Sequence, residues 1–170
     1  MNDEELLKFA NEWLEYQPNG TLIWKKFRRS KAKAGSVAGT DNSLGYRVIK
    51  INNKPYKIHR INYLIHHGFI PGQIDHFNQI RNDNRVENLR AANGTQNQGN
   101  VSLRSDNKSG YRGVYWREDC QKWAAQGPKF IKGKWKRGIL GYFDCPKEAS
   151  DCFEKAADAY WGEFFSKRKE

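Results

Sequence analysis

The chain has 170 residues, and its 30 Lys and Arg outnumber 19 Asp and Glu for a formal charge of +11. A mean hydropathy of −0.93, with no apolar run near the ~18 residues of a membrane span, excludes a membrane-spanning helix, and the length leaves room for one domain or two small ones. Three cysteines, Cys120, Cys145 and Cys152, with no Cys-x-x-Cys pair, exclude a disulfide framework and a structural zinc site, while a pI near 9.6 points to a polyanionic partner, nucleic acid before membrane.

In chain order, Leu6, Leu7, Ala10, Trp13 and Leu14 keep helical spacing and predict an N-terminal helix ended by the turn Pro18-Asn19-Gly20. Thr21 to Lys25 predicts a strand, and the basic stretch to Gly45 shows no period. Tyr46 to Ile51 and Tyr56 to Ile58 flank Asn52-Asn53-Lys54-Pro55 and predict a hairpin. Ile58 to His67 follows as a helix capped at Gly68. The apolar stub at Ile74, the Asn/Asp/Arg-rich loop, Asn88-Leu89-Arg90 and a polar stretch to Asn100 with room for one helix have the composition of a site rather than of a packing unit. Residues 102–110, SLRSDNKSG, suit a linker. Three aromatic strands then follow at 111–116, 122–126 and 134–143, and a helix from about Pro146 to Trp161 has Ala149, Phe153, Ala156, Tyr160 and Phe164 on one face.

The charge is segregated. Residues 22–60 hold eleven Lys or Arg and one Asp, and residues 103–137 hold ten against three acids. Two separated basic faces suit phosphate neutralisation with counterion release. The acidic start, MNDEELLKFANEWLE, is the reverse of a cationic targeting signal, and with so few cysteines predicts a cytoplasmic protein.

The chemistry concentrates after Ile74. Asp75 and Asn97 offer hard oxygen ligands suited to one Mg²⁺ or Mn²⁺, leaving positions for phosphate and water. His76, next to Asp75 on a strand, points the other way and faces a water in line with the scissile bond. Asn82, Asp83 and Asn84 suit a turn, and Arg60, Arg81, Arg85 and Arg90 either clamp phosphates or pair with Asp83 and Glu87. His59, His66 and His67 are expected to be structural.

Gly45-Tyr46, His59-Arg60, His67-Gly68, IDHFNQIRNDNRVENLR from Ile74 to Arg90, and Gln96-Asn97 with Asn100 resemble the H-N-H endonucleases, in the form found in phage and intron homing enzymes, over residues 20–100. The resemblance implies a ββα nuclease module gripping one divalent metal, with His76 as general base, Asp75 and Asn97 as ligands, Asn88 tethering the loop and orienting His76, and Arg60, Arg85, Arg90 and Asn100 against DNA. Relatives with His at the Asn97 position or four cysteines differ from this chain, whose fold must rest on packing alone.

YRGVYW from Tyr111, Lys122-Trp123-Ala124-Ala125, and LGYFDCPKEASDCFEKAADAYWG from Leu140 resemble the APETALA2 or ethylene-response DNA-binding domain over residues 108–165. That likeness implies a three-stranded sheet in the major groove with a helix behind it, and Arg112, Trp116, Arg117, Lys122 and Trp123 at DNA. Tyr115 stands where plant members carry Arg, the second strand runs into Gly127-Pro128, and Cys145 replaces a capping Thr, leaving Asp144 or Glu148 to satisfy the first helical turn.

The expected molecule is α+β: an N-terminal helix (1–20), a ββα-metal nuclease domain (21–101), a linker (102–110), a three-stranded antiparallel sheet packed on one helix (111–165) and a basic tail (166–170). Its expected activity is metal-dependent nicking of double-stranded DNA by a monomer or weak dimer, without a small-molecule cofactor or a membrane partner. The alternatives are a non-catalytic DNA-binding regulator and an RNA-directed nuclease.

Overall fold

Asn2 starts the first helix in a capping box: its side-chain oxygen accepts the Glu5 N–H at 2.8 Å, and its own N–H donates to the Glu5 carboxylate at 3.1 Å. The computed structural model describes residues 1–27 and 32–167. Residues 28–31 of the basic block and residues 168–170 of the expected tail lie outside them. The chain divides into two compact units, Met1–Gly94 and Thr95–Glu170.

In the first unit, α1 (Asp3–Trp13) buries Leu6 and Ala10. It ends earlier than its spacing predicts, because Leu14 is extended and starts β1 (Leu14–Tyr16), which pairs antiparallel with β2 (Leu22–Trp24) around the Pro18 turn. Leu14 is apolar in both registers. The turn settles the choice, because it returns Leu22 and Trp24 to the same core. A strand that the aperiodic basic stretch conceals, β3 (Thr40–Asp41), pairs with β4 (Arg47–Ile51), which pairs in turn with β5 (Lys54–Lys57).

The β4–β5 turn is tighter than expected. Asn52 and Asn53 alone make it, at φ of 50° and 61°, the left-handed pair of a two-residue hairpin. Pro55 falls inside β5, an edge strand, where a missing N–H costs no ladder bond. Helix α2 (Ile58–His67) stops at Gly68, φ 77°, and packs Ile58, Ile61 and Leu64 against Leu22, Trp24, Ile49, Ile51 and α1. Beyond it come β6 (Gln73–His76), a 3-10 turn (Val86–Asn88) and the antiparallel partner β7 (Leu89–Ala92); α3 (Gly94–Gly99) begins where the first unit ends and belongs to the second.

The second unit has an antiparallel sheet in the order β8 (Val114–Arg117), β9 (Lys122–Ile131), β10 (Lys134–Phe143), with α4 (Pro146–Trp161) packed on it. Strand β9 does not break at Gly127-Pro128. Pro128 pairs only with Arg137 of β10, since β8 pairs no further along β9 than Ala125. The buried face of α4 is Ala149, Ser150, Phe153 and Ala157 rather than the line through Ala156 and Tyr160. Cys145 caps with no side-chain bond, and Asp144 pairs with Lys122 at 2.8 Å instead of capping. The expected linker lies inside this unit, where Trp161 Nε1 donates to Thr95 O at 2.8 Å and Arg112 Nη1 donates to Gly99 O at 2.7 Å.

Asn62, in the middle of α2, is fully buried, and its Nδ2 donates to Gly20 O and to Asn84 O, both at 2.8 Å. Gly20 sits at φ 80°, and a Cβ there would lie 2.3 Å from Arg85 N. Asn62→Leu, which strips both carbonyls of a buried donor, is expected to destabilise the first unit by about 2–3 kcal/mol, and Gly20→Ala by at least about 2 kcal/mol. Urea denaturation monitored by Trp fluorescence measures both.

Candidate active site

Strands β6 and β7 set Asp75 opposite Arg90 and His76 opposite Leu89. Alternation along β6 turns the two functional side chains to opposite faces. Both are withdrawn from water, with Asp75 8% and His76 6% exposed. Burying them is unfavourable unless each finds partners. Arg90 donates from Nε and Nη2 to Asp75 Oδ2, both at 2.8 Å.

His76 lies under a lid of rings. The His59 ring stands edge-on to it at 4.9 Å, and Tyr46 lies at 6.1 Å. Its Nε2 is 3.4 Å from Asn84 Oδ1. The Asn84 amide is oriented by its own Nδ2, which donates to Asn82 O at 3.1 Å, so an acceptor oxygen faces the imidazole. The tautomer that carries its proton on Nε2 is the one that makes this bond. Burial pushes the His76 pKa below its ordinary value, partly offset by the Asn84 bond and by Asp75. At neutral pH the ring is therefore uncharged and able to take a proton.

Asn88 spans the loop that follows His76. Its Oδ1 accepts Asn78 N–H at 3.0 Å, its Nδ2 donates to Asp83 O at 2.8 Å, and its carbonyl accepts Phe77 N–H at 2.9 Å. The contact with His76 itself comes from Asn84, which the sequence presents only as a turn residue. His59, expected to be a structural histidine, lies against the site. No spacing rule singles out Asn84; His59 had a weak signal, a histidine in the first turn of a helix beside the site.

The arginines divide. Arg85 pairs with Asp83, holding that carboxyl down to about 2. Arg81 donates to Leu44 O at 2.9 Å and lies 5.3 Å from the Tyr46 ring. Arg60 is half-buried on α2.

Asn97 and Asn100 fall in the second unit, Asn97 on α3 and Asn100 buried just after it. There Arg112 departs from its expected place at DNA. Its guanidinium donates to the Gly99 and Gln98 carbonyls and lies 5.1 Å from the Trp161 ring, among side chains that pack with α4. Trp123 likewise packs with the core, in edge contact with the Trp116 ring at 5.2 Å. The sheet face opposite α4 carries Tyr115, Arg117, Lys122 and Tyr142, with Arg117 5.9 Å from the Tyr142 ring.

Among the described residues no three His, Cys, Asp or Glu side chains converge as a metal cage. A single carboxylate with amide oxygens fits a magnesium-type ion, which keeps its waters and binds through one or two carboxylates plus substrate phosphate. It does not fit structural zinc.

Residues 56–98, from β5 into α3, match the family model described as HNH endonuclease. No curated protein and no solved structure matches the chain. The family match supports a nuclease function.

Burial, followed by the charges of His76, Lys57 and Arg60, lowers the His59 pKa to about 3. Between about 3 and the ordinary value of about 6.5 the unfolded chain binds the extra proton, so this contribution to stability is complete above pH 6.5 and is lost as pH falls. His76 has the same sign. Unfolding free energy is expected to fall by up to about 1.4 kcal/mol per pH unit across that window through His59, with His76 adding in the same direction. Denaturant titrations from pH 7 to 4 check it, and His59→Phe is expected to flatten the curve.

Proposed function

We propose that the protein is a metal-dependent DNA endonuclease that nicks one strand per active site. The reading is carried by one observation: a buried imidazole, held neutral with its Nε2 facing Asn84, beside a buried carboxylate on the same hairpin. In this proposal His76 Nδ1 takes the proton of a water whose oxygen forms the new bond to phosphorus. The P–O3′ bond breaks, and the leaving oxygen takes a proton from solvent. A magnesium- or manganese-type cation supplies Lewis-acid stabilisation of the phosphoryl charge. Asp75 would be its carboxylate ligand, and Asn88 braces the loop.

The second unit acts as the targeting module, of the APETALA2 type that its sequence resembles. Arg117 and Lys122 approach DNA from the sheet face opposite α4, Trp116 packs on Trp123 across the other face, and Arg112 holds the residues before the sheet. Tethering of this kind raises the effective concentration of a weak nuclease at its target, the arrangement of free-standing phage homing enzymes. A rival reading, a non-catalytic DNA-binding protein, draws on the Arg90 bonds that occupy Asp75 Oδ2.

Supercoiled plasmid incubated with Mg²⁺ or Mn²⁺ against EDTA separates the two. Nicking that requires metal is expected, and His76→Ala is expected to lose about 10²–10⁴-fold in rate with DNA binding retained. Tight binding with no nicking of any plasmid sinks the nuclease reading. In salt titrations of DNA binding, Arg117→Ala is expected to reduce the slope by about 1. Arg112→Ala is expected to lower the thermal midpoint and leave that slope unchanged, as measured by scanning fluorimetry beside the titration.

A further inference from the structure

The loop after His76 reverses the usual arrangement of a protein surface. Asp75, His76, Asn84 and Asn88 beside it are buried, while Phe77 is 62% and Ile80 53% exposed. Exposed apolar side chains on a mobile loop would be unremarkable; these are held in place. Phe77 N–H donates to Asn88 O at 2.9 Å, Ile80 N–H to Asn78 Oδ1 at 2.9 Å, and Asp83 N–H to Ile80 O at 3.0 Å. The Asn88 side chain clamps both ends of the loop. Such rigid apolar exposure marks a contact surface.

Charge and area identify the partner. The Arg90 guanidinium lies 5.0 Å from the Phe77 ring, and Ile80 is followed directly by Arg81. An apolar tip with a guanidinium against it suits a polyanion with an apolar interior. Two side chains of this size offer at most a few hundred Å², well short of the roughly 800 Å² per partner of a stable protein interface. A step in stacked DNA, by contrast, accepts one or two apolar side chains, and proteins that insert them unstack and kink the duplex.

We propose that Phe77 and Ile80 are a wedge that enters the base stack beside the phosphate presented to His76, opening the duplex locally so that the phosphate reaches the buried imidazole. This rests on the nuclease reading above and adds to it a positioning role for two residues. Arg90 joins the Phe77 ring to Asp75, so a base stacked on that ring holds the adjacent backbone beside the strand that carries Asp75 and His76. The recess of His76 is thereby accounted for: an undistorted duplex is a stiff rod, and the wedge supplies the deformation.

The test uses the full chain and an oligonucleotide duplex built around a nick mapped in plasmid, with 2-aminopurine at the flanking steps. Wild-type protein with Ca²⁺ in place of Mg²⁺ is expected to raise 2-aminopurine fluorescence several-fold on binding. Phe77→Ser and the Phe77→Ser/Ile80→Ser pair are expected to abolish that rise and to slow nicking about ten- to a hundredfold. A mismatch placed at the same step, which is already unstacked, is expected to restore the rate, and Phe77→Trp to keep both signals.

Equal nicking and equal fluorescence in Phe77→Ser overturn the wedge while leaving the nuclease intact. A slow variant that the mismatch does not rescue also overturns it, since Phe77 then only shapes the His76 pocket. A drop in molecular mass of the double variant by light scattering overturns it in favour of a contact between two copies of the chain. If wild type nicks no DNA with metal, the failure lies in the nuclease reading itself.

Discussion

The first unit is organised around the Asn62 amide. From the interior of α2 it donates to Gly20 O at the β1–β2 turn and to Asn84 O in the loop after β6, both at 2.8 Å. Asn84 in turn faces His76. One buried side chain thus joins the N-terminal hairpin, the central helix and the candidate base. A hydrogen bond of this kind contributes modestly when made and costs more when one partner is lost in the interior. Gly20 is needed for the same closeness, because the backbone of Asn84 and Arg85 fills the space that a Cβ would take.

Around that clasp the chain divides its labour between apolar and polar burial. Leu22, Ile51, Ile58, Ile61 and Leu64 exclude water on one side of α2. The polar residues Asp75, His76, Asn84 and Asn88 are buried in the same unit but satisfied locally, by Arg90, by each other and by loop backbone. The low-dielectric setting keeps the two buried histidines uncharged. It also makes the unit sensitive to acid, so the property that suits His76 to accept a proton limits the pH range of the fold.

The second unit obeys a different rule. Its core is a single helix face, Ala149, Phe153 and Ala157, against the sheet, and Gly113 and Gly127 leave the space that the Phe153 ring fills. Arg112 shows how position in a motif and position in space diverge. Its place before the first strand resembles a DNA-contacting arginine, yet the aromatic rings of Phe153, Trp161 and Phe165 lie 5.1–5.8 Å from its guanidinium, and carbonyls of the preceding segment take its protons.

Local chemistry made much of this readable in advance. The bounds of α2 follow from its apolar spacing and Gly68, and the hairpin at Asn52-Asn53 from two residues tolerant of positive φ. Asp75, His76 and Asn88 stand out because polar residues replace apolar ones where a core element should run. The end of α1, strand β3 and the passage of β9 through Pro128 were not readable, since each depends on which neighbour pairs with it. The sequence by itself determined most of the elements, the basic charge and the types of residue available for phosphodiester chemistry. Only the tertiary structure decided that Asn84 orients His76, that His59 shields it and that Arg112 turns inward, because these are contacts between residues 8 to 49 positions apart, and no local periodicity encodes them.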